Sequence, residues 1–162
     1  MTRALAIFIL KLALASAALF ALWVWQGEAV YARFYGALLR ALSLDPSSMR
    51  DAIPIITPRF YNIIPFLSLI LSMWGISARR RILGSTIGLA ILIAWHVVFL
   101  MIVQSIIDTH QLGPGAYKRL SPWFLLSDVL PWLVWALICQ RPLSDLIRRK
   151  PAPVKKTGER RG

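Results

Sequence analysis

Four uninterrupted apolar stretches constrain this chain more than any other feature. They cover residues 4–25, 60–78, 82–107 and 122–140, and each comes close to the roughly 20 residues a helix needs to cross a hydrocarbon core about 30 Å thick. Lipid offers a backbone amide no hydrogen-bond partner, so a crossing segment must be a helix or part of a closed barrel. Barrel strands alternate apolar and polar residues, and these runs do not. The predicted fold class is therefore all-α, a polytopic membrane protein with four transmembrane helices. Composition agrees, with 57% apolar and 16% charged residues, and the one cysteine, Cys139, leaves no disulfide framework. Ala15-Ser16-Ala17 resembles a signal-peptide cleavage site. The apolar run continues through Leu19, Phe20, Leu22 and Val24, however, so the first stretch is expected to be a retained span.

The chain carries 19 Lys and Arg against 7 Asp and Glu, a formal net charge of +12. These basic residues cluster at the ends of the apolar stretches and in the C-terminal tail, which points to anionic lipid headgroups rather than to nucleic acid. With the N-terminus in the cytoplasm, one side of the membrane receives Arg3, Lys11, Arg79, Arg80, Arg81, Arg141, Arg148, Arg149, Lys150, Lys155, Lys156, Arg160 and Arg161. The other side receives only Arg33, Arg40, Arg50, Arg59, Lys118 and Arg119. This asymmetry predicts a multi-pass protein of the bacterial inner membrane with both termini cytoplasmic. Trp23, Trp25 and Trp123 then fall at the outer interface and Trp74 at the inner one.

Residues 26–59 form the longest extracytoplasmic connection. In its first half Val30, Tyr31, Phe34, Tyr35, Leu38 and Leu42 recur at helical spacing, while Arg33, Ala37 and Arg40 share another face. An interfacial amphipathic helix on the outer leaflet is expected, with Arg33 and Arg40 among the headgroups. The second half carries Pro46, Pro54 and Pro58, which predicts an extended, ordered loop. Gly113-Pro114-Gly115 predicts a turn, and Ser121-Pro122 a cap and first helical turn. The expected organisation is a single membrane domain over residues 1–150, followed by a basic, disordered tail over 151–162.

Ionisable residues inside spans are costly and usually point to function. Three occur here, Lys11, His96 and Asp128. Lys11 is close enough to the cytoplasmic end of its span to snorkel. His96 in the third span and Asp128 in the fourth fall at similar depth, so antiparallel neighbours could bring them into contact. Such a pair could be the orienting half of a nucleophilic triad, a proton relay, or two polar groups that satisfy each other. Pro131, three residues after Asp128, frees a carbonyl and could open a hydrated pocket or be a tolerated bend. Asn62 could face that pocket or cap the second span, capping being the simpler expectation. His96, Asp128 and Asn62 thus form the candidate polar membrane pocket. Gly84 and Gly88 have the spacing of a helix-packing motif, serving a neighbour within the chain or another subunit. Cys139 is expected to be a buried or interfacial thiol rather than a nucleophile. No motif for a metal, a nucleotide or haem is present, so no catalytic, metal or cofactor residue is assigned and no cofactor is expected.

Residues 59–101 read Arg59-Phe60-Tyr61-Asn62-Ile63-Ile64-Pro65-Phe66-Leu67, then an Arg79-Arg80-Arg81 turn, then a long apolar span with Trp95-His96-Val97-Val98. This stretch resembles small membrane proteins associated with exosortases and archaeosortases, polytopic enzymes that process the C-terminal sorting signals of exported proteins. Those enzymes carry a Cys-Ser-Gly nucleophile near the outer face and a later Asn-x-x-Arg signature. Here the cysteine lies on the predicted cytoplasmic side and no Asn-x-x-Arg follows Trp95. The resemblance therefore implies a non-catalytic associate. The functional expectation is a non-enzymatic accessory protein of a larger membrane complex, with the lipid bilayer and another membrane protein, such as an exosortase-like enzyme, as partners. The alternative is a small transporter or proton-coupled carrier using His96 and Asp128, formed as a homo-oligomer through Gly84 and Gly88.

Overall fold

A computed structural model describes residues 3–73, 76–110 and 114–140. Helix α1 (Arg3–Leu22) runs through a π-helical turn (Trp23–Gly27) into α2 (Glu28–Ala41). After turns over residues 45–52, α3 (Ile53–Ile56), a 3₁₀ segment (Thr57–Asn62) and α4 (Ile63–Ser72) follow without a break, and then come α5 (Ala78–His110) and α6 (Pro114–Ile138). No strand occurs among the described residues. Four helical runs are long and apolar enough to cross a membrane: Leu5–Ala41, Ile53–Ser72, Ala78–Thr109 and Gly115–Ile138. The chain is an all-α membrane protein.

The second run is the centre of the bundle. Helix α4 packs against α1, α5 and α6, while α5 and α6 pair with each other. Half of the second run's most apolar window is buried, whereas none of the first run's is, so α1 is a peripheral helix. A central helix in lipid must be narrow and must hide its own polar groups. Ser68 and Ser72 meet both needs, donating to the carbonyls of Ile64 at 2.8 Å and Ser68 at 2.6 Å. Opposite them, Gly88 of α5 admits the Phe66 ring, which a Cβ at that position would approach to 1.9 Å. A Cβ on Gly84 would come within 2.7 Å of Ile138 on α6. The glycine pair therefore serves packing within the chain, one of the two uses expected of it.

The first span and the expected surface helix are one helical run. Glu28 N–H reaches the Trp23 carbonyl across the π turn, and the run extends 37 residues from Leu5 to Ala41, about 55 Å at helical rise. Beyond the turn, Tyr31, Tyr35 and Leu39 are buried against the bundle, while Val30, Phe34 and Leu42 stay exposed along with Arg33 and Arg40. The apolar stripe thus divides, and its tyrosine edge meets protein. Trp23 is buried against Tyr31 and Tyr61, and Trp25 is exposed.

The proline-rich segment is helical, not extended. Pro54 and Pro58 each stand in the first turn of their element, where a missing N–H breaks no bond. Ahead of them, the Asp45 carboxylate accepts from the backbone N–H of Ser47 at 3.0 Å and from its hydroxyl, which holds this carboxyl below the usual carboxylate range. Helix α6 begins at Pro114 rather than at the expected Ser121-Pro122 cap, and Pro122 and Pro131 both lie inside it. Trp74, the Gly113 turn residue and the tail over 151–162 lie outside the described residues.

Gly88→Ala should overpack the Phe66 contact and cost about 1–3 kcal/mol, read as a lower unfolding midpoint in a detergent titration followed by circular dichroism. Adding Phe66→Leu should return part of the loss. Wild-type stability of the single variant would contradict this packing.

Candidate functional site

The 3₁₀ segment Thr57–Asn62 gathers the polar side chains of the bundle. Its geometry follows from proline. Pro58 and Pro65 have no N–H to give to the carbonyls of Pro54 and Tyr61, and the Thr57 hydroxyl takes up the Ile53 carbonyl at 2.8 Å. With three residues per turn, side chains at i and i+3 eclipse. The segment therefore presents three distinct edges, and each meets a different neighbour.

One edge carries Arg59 and Asn62 toward α6. An Arg59 Nη1 donates to Asp128 Oδ1 at 2.5 Å, and the guanidinium lies 4.7 Å from the centre of the Phe124 ring. Asn62 Nδ2 donates to the Ser127 carbonyl at 2.7 Å and also lies 3.3 Å from its hydroxyl. A second edge carries Phe60 into a ring cluster with Tyr31, Tyr35 and His96, at centroid distances of 4.7, 5.1 and 5.1 Å. There the Tyr31 hydroxyl and His96 Nδ1 share a hydrogen bond of 2.7 Å, and the Tyr35 hydroxyl donates to the His96 carbonyl at 2.8 Å. The third edge carries Tyr61 toward the π turn, where its hydroxyl donates to Glu28 at 3.1 Å and its ring packs on Phe20 and Trp23. Two irregular helical turns thus face each other, and the bonds between them and around them link all four spans.

Two of the three pocket residues expected from sequence come together, and the third does not. Asn62 bonds to Ser127, the residue before Asp128, while Asp128 itself is bonded to Arg59 on the same edge of the 3₁₀ segment. Asn62 adopts the N-cap position of α4 without a capping hydrogen bond, so the capping expectation is corrected: its amide is used across helices. His96 and Asp128 share no bond. Each is tied to its own partner, and the expected His-Asp pair gives way to a His96–Tyr31 bond and an Arg59–Asp128 ion pair. Equal depth was legible, but depth says nothing of the angle at which a side chain leaves its helix.

Arg59, Tyr31, Tyr35 and Glu28 are the residues that sequence reasoning missed. Arg59 had a signal, as a basic residue at the outer end of the second span while the fourth holds a lone acid, Asp128. The two tyrosines stand four apart on one helix face, but the assignment of that face to lipid hid them.

The two halves of the belt differ in exposure. His96 is fully buried, and its Nε2 has no hydrogen-bond partner among the described residues. The ion pair sits on the flank of the bundle, with 26% of the Arg59 side chain and 48% of the Asp128 side chain exposed. Pro131 is buried one turn further along α6. Lys11 is exposed, and Cys139 is a buried free thiol. Among the described residues no three His, Cys, Asp or Glu side chains converge as metal ligands would. What the belt can do chemically is hold spans in register at its buried side and offer charge and hydrogen-bonding capacity at its exposed side. No protein-family model matches this chain, and neither a curated protein nor a solved structure matches it.

Tyr31→Phe should leave the buried His96 imidazole without its bond and destabilise the protein by about 1–3 kcal/mol. In a double-mutant cycle read by the same unfolding assay, Arg59→Gln and Asp128→Asn should couple by about 0.5–3 kcal/mol, whereas His96→Leu and Asp128→Asn should add. Coupling confined to the second pair would reverse the assignment.

Proposed function

We propose that this chain is a non-enzymatic accessory subunit of a larger complex in the bacterial inner membrane, with both termini in the cytoplasm. The observation that carries the proposal is the Arg59–Asp128 pair on the bundle flank. Charged groups that face lipid within a span cost several kcal/mol unless they are paired, hydrated or covered. Here the pair is made but half of the carboxylate side chain remains open. A transmembrane helix of a partner that presents hydrogen-bond donors would cover it, and such bonds between helices are worth about 0.6–2 kcal/mol each in membranes. Around the pair, Leu125, Val129 and Trp132 are exposed large apolar side chains on α6, suited to the remainder of a helix contact.

The resemblance of residues 59–101 to exosortase-associated proteins suggests the class of partner, a polytopic enzyme that handles exported proteins. The belt edges Arg59 and Asn62 belong to that stretch. The carrier alternative draws less support, because His96 and Asp128 are engaged by separate groups and Gly84 and Gly88 are used within the chain. The orientation rests on the excess of Lys and Arg near the N-terminus, the Arg79-Arg80-Arg81 turn and the C-terminal tail.

A photoreactive amino acid at Leu125 in native membranes should give a discrete adduct with another polytopic membrane protein, and Arg59→Gln should abolish it. The same probe at Leu10 should give lipid adducts only. Lipid adducts alone at Leu125, or an adduct at twice the chain mass, would defeat the accessory-subunit reading. For orientation, a fluorescent reporter fused after Gly162 should light up in the cytoplasm, and an export-dependent phosphatase inserted at Gly113 should be active. Inverted signals would overturn the orientation but leave the docking surface in place.

A further inference from the structure

The opposite end of the bundle, where Arg79 and Gln140 lie, holds a groove that the polar belt does not use. It runs between the first turns of α5 and the last turn of α6, with a cavity volume of about 390 Å³. Leu83, Ile87 and Leu137 supply apolar walls, Gly84 leaves room between them, and Arg80 and Gln140 supply the polar rim. Leu83 and Leu137 are exposed, so the groove opens sideways, toward the acyl region of a bilayer.

The three consecutive arginines are not equivalent. Arg81 is committed, because its Nη2 donates to the Met73 carbonyl at 2.9 Å. Arg80 uses only its backbone N–H locally, toward the Ser77 hydroxyl at 3.4 Å. Neither Arg79 nor Arg80 has a carboxylate partner among the described residues. A guanidinium with no carboxylate partner among the described residues thus stands beside an apolar slot, in a chain whose net charge is +12. Phosphate suits a guanidinium because it accepts two parallel N–H bonds, and basic pockets between spans take the headgroups of anionic lipids. A free phosphate would have no use for the apolar walls. A zwitterionic lipid would bring its own cation to a cluster of three arginines.

We propose that this groove is a binding site for one anionic phospholipid, with its phosphate on Arg80 and an acyl chain along Leu83, Ile87 and Leu137. The site stands apart from the α6 flank around Asp128 and holds whichever partner that flank meets.

Native mass spectrometry of the full chain in detergent, titrated with dioleoyl phosphatidylglycerol or dioleoyl phosphatidylcholine, tests the proposal. One phosphatidylglycerol should be retained in preference to phosphatidylcholine. Arg80→Gln should weaken its apparent affinity roughly fivefold, the share expected of one basic residue near a headgroup, and Arg33→Gln should leave it unchanged. Ile87→Trp, which fills the slot from an exposed position and keeps every charge, should reduce binding of both lipids. Equal retention of the two lipids, wild-type binding by Arg80→Gln or by Ile87→Trp, or displacement of phosphatidylglycerol by millimolar inorganic phosphate would each overturn it.

Discussion

Hydrogen bonds around one short 3₁₀ segment hold together what the hydrophobic effect cannot. Lipid tails are as apolar as leucine, so four apolar helices gain nothing from water by meeting, and their association must come from close packing and polar contacts. Thr57–Asn62 supplies the polar contacts by having three edges. Arg59 and Asn62 engage α6, Phe60 engages the tyrosines and His96, and Tyr61 engages Glu28. In this 3₁₀ turn Arg59 and Asn62 lie directly in line, whereas an α-helix would set them about 60° apart on one face. Each edge of this short departure from regular helix thus meets a different neighbour, with Phe60 buried at its centre and Pro58 exposed.

Close packing supplies the rest, and it is directed inward. Gly88 against Phe66 and Gly84 against Ile138 draw α5 toward α4 and α6, while Ser68 and Ser72 keep the central helix slim and internally satisfied. Helix α1 packs along α4 as well, but from the outside, so that no residue of its most apolar window is fully buried. The first helical run is thus held by its packing on α4 and, beyond the π turn, by Trp23, Glu28, Tyr31 and Tyr35.

The spans were legible in the sequence because their existence is a matter of length and composition, and both survive any arrangement of the helices. Their boundaries and partners were not. Prolines at 54 and 58 read as an extended loop, yet each sits in the first turn of a helical element, where proline is tolerated. Pro114 read as part of a turn and Pro122 as the helix start, yet the helix begins at Pro114 and runs through Pro122. His96 and Asp128 matched in depth, but the choice between each other and Tyr31 or Arg59 depends on rotation about the helix axes, which no count of residues contains. Asn62 shows the converse error. A local explanation, capping, was available and sufficient, and the amide serves a long-range contact instead.

The π turn at Trp23–Gly27 sets the phase of everything after it. A hydrogen bond from Glu28 back to Trp23 encloses one residue more than the ordinary helical bond, so the turn behaves as a one-residue insertion absorbed without breaking the helix. Removing that residue would rotate α2 by about 100° and pull it back by about 1.5 Å relative to α1. Tyr31 and Tyr35 would swing away from His96, and exposed neighbours such as Val30 and Phe34 would shift with them. Length variation among relatives of this chain should therefore be rare in the Trp23–Gly27 turn and common in the turns over residues 45–52, where an extra residue changes no helix phase.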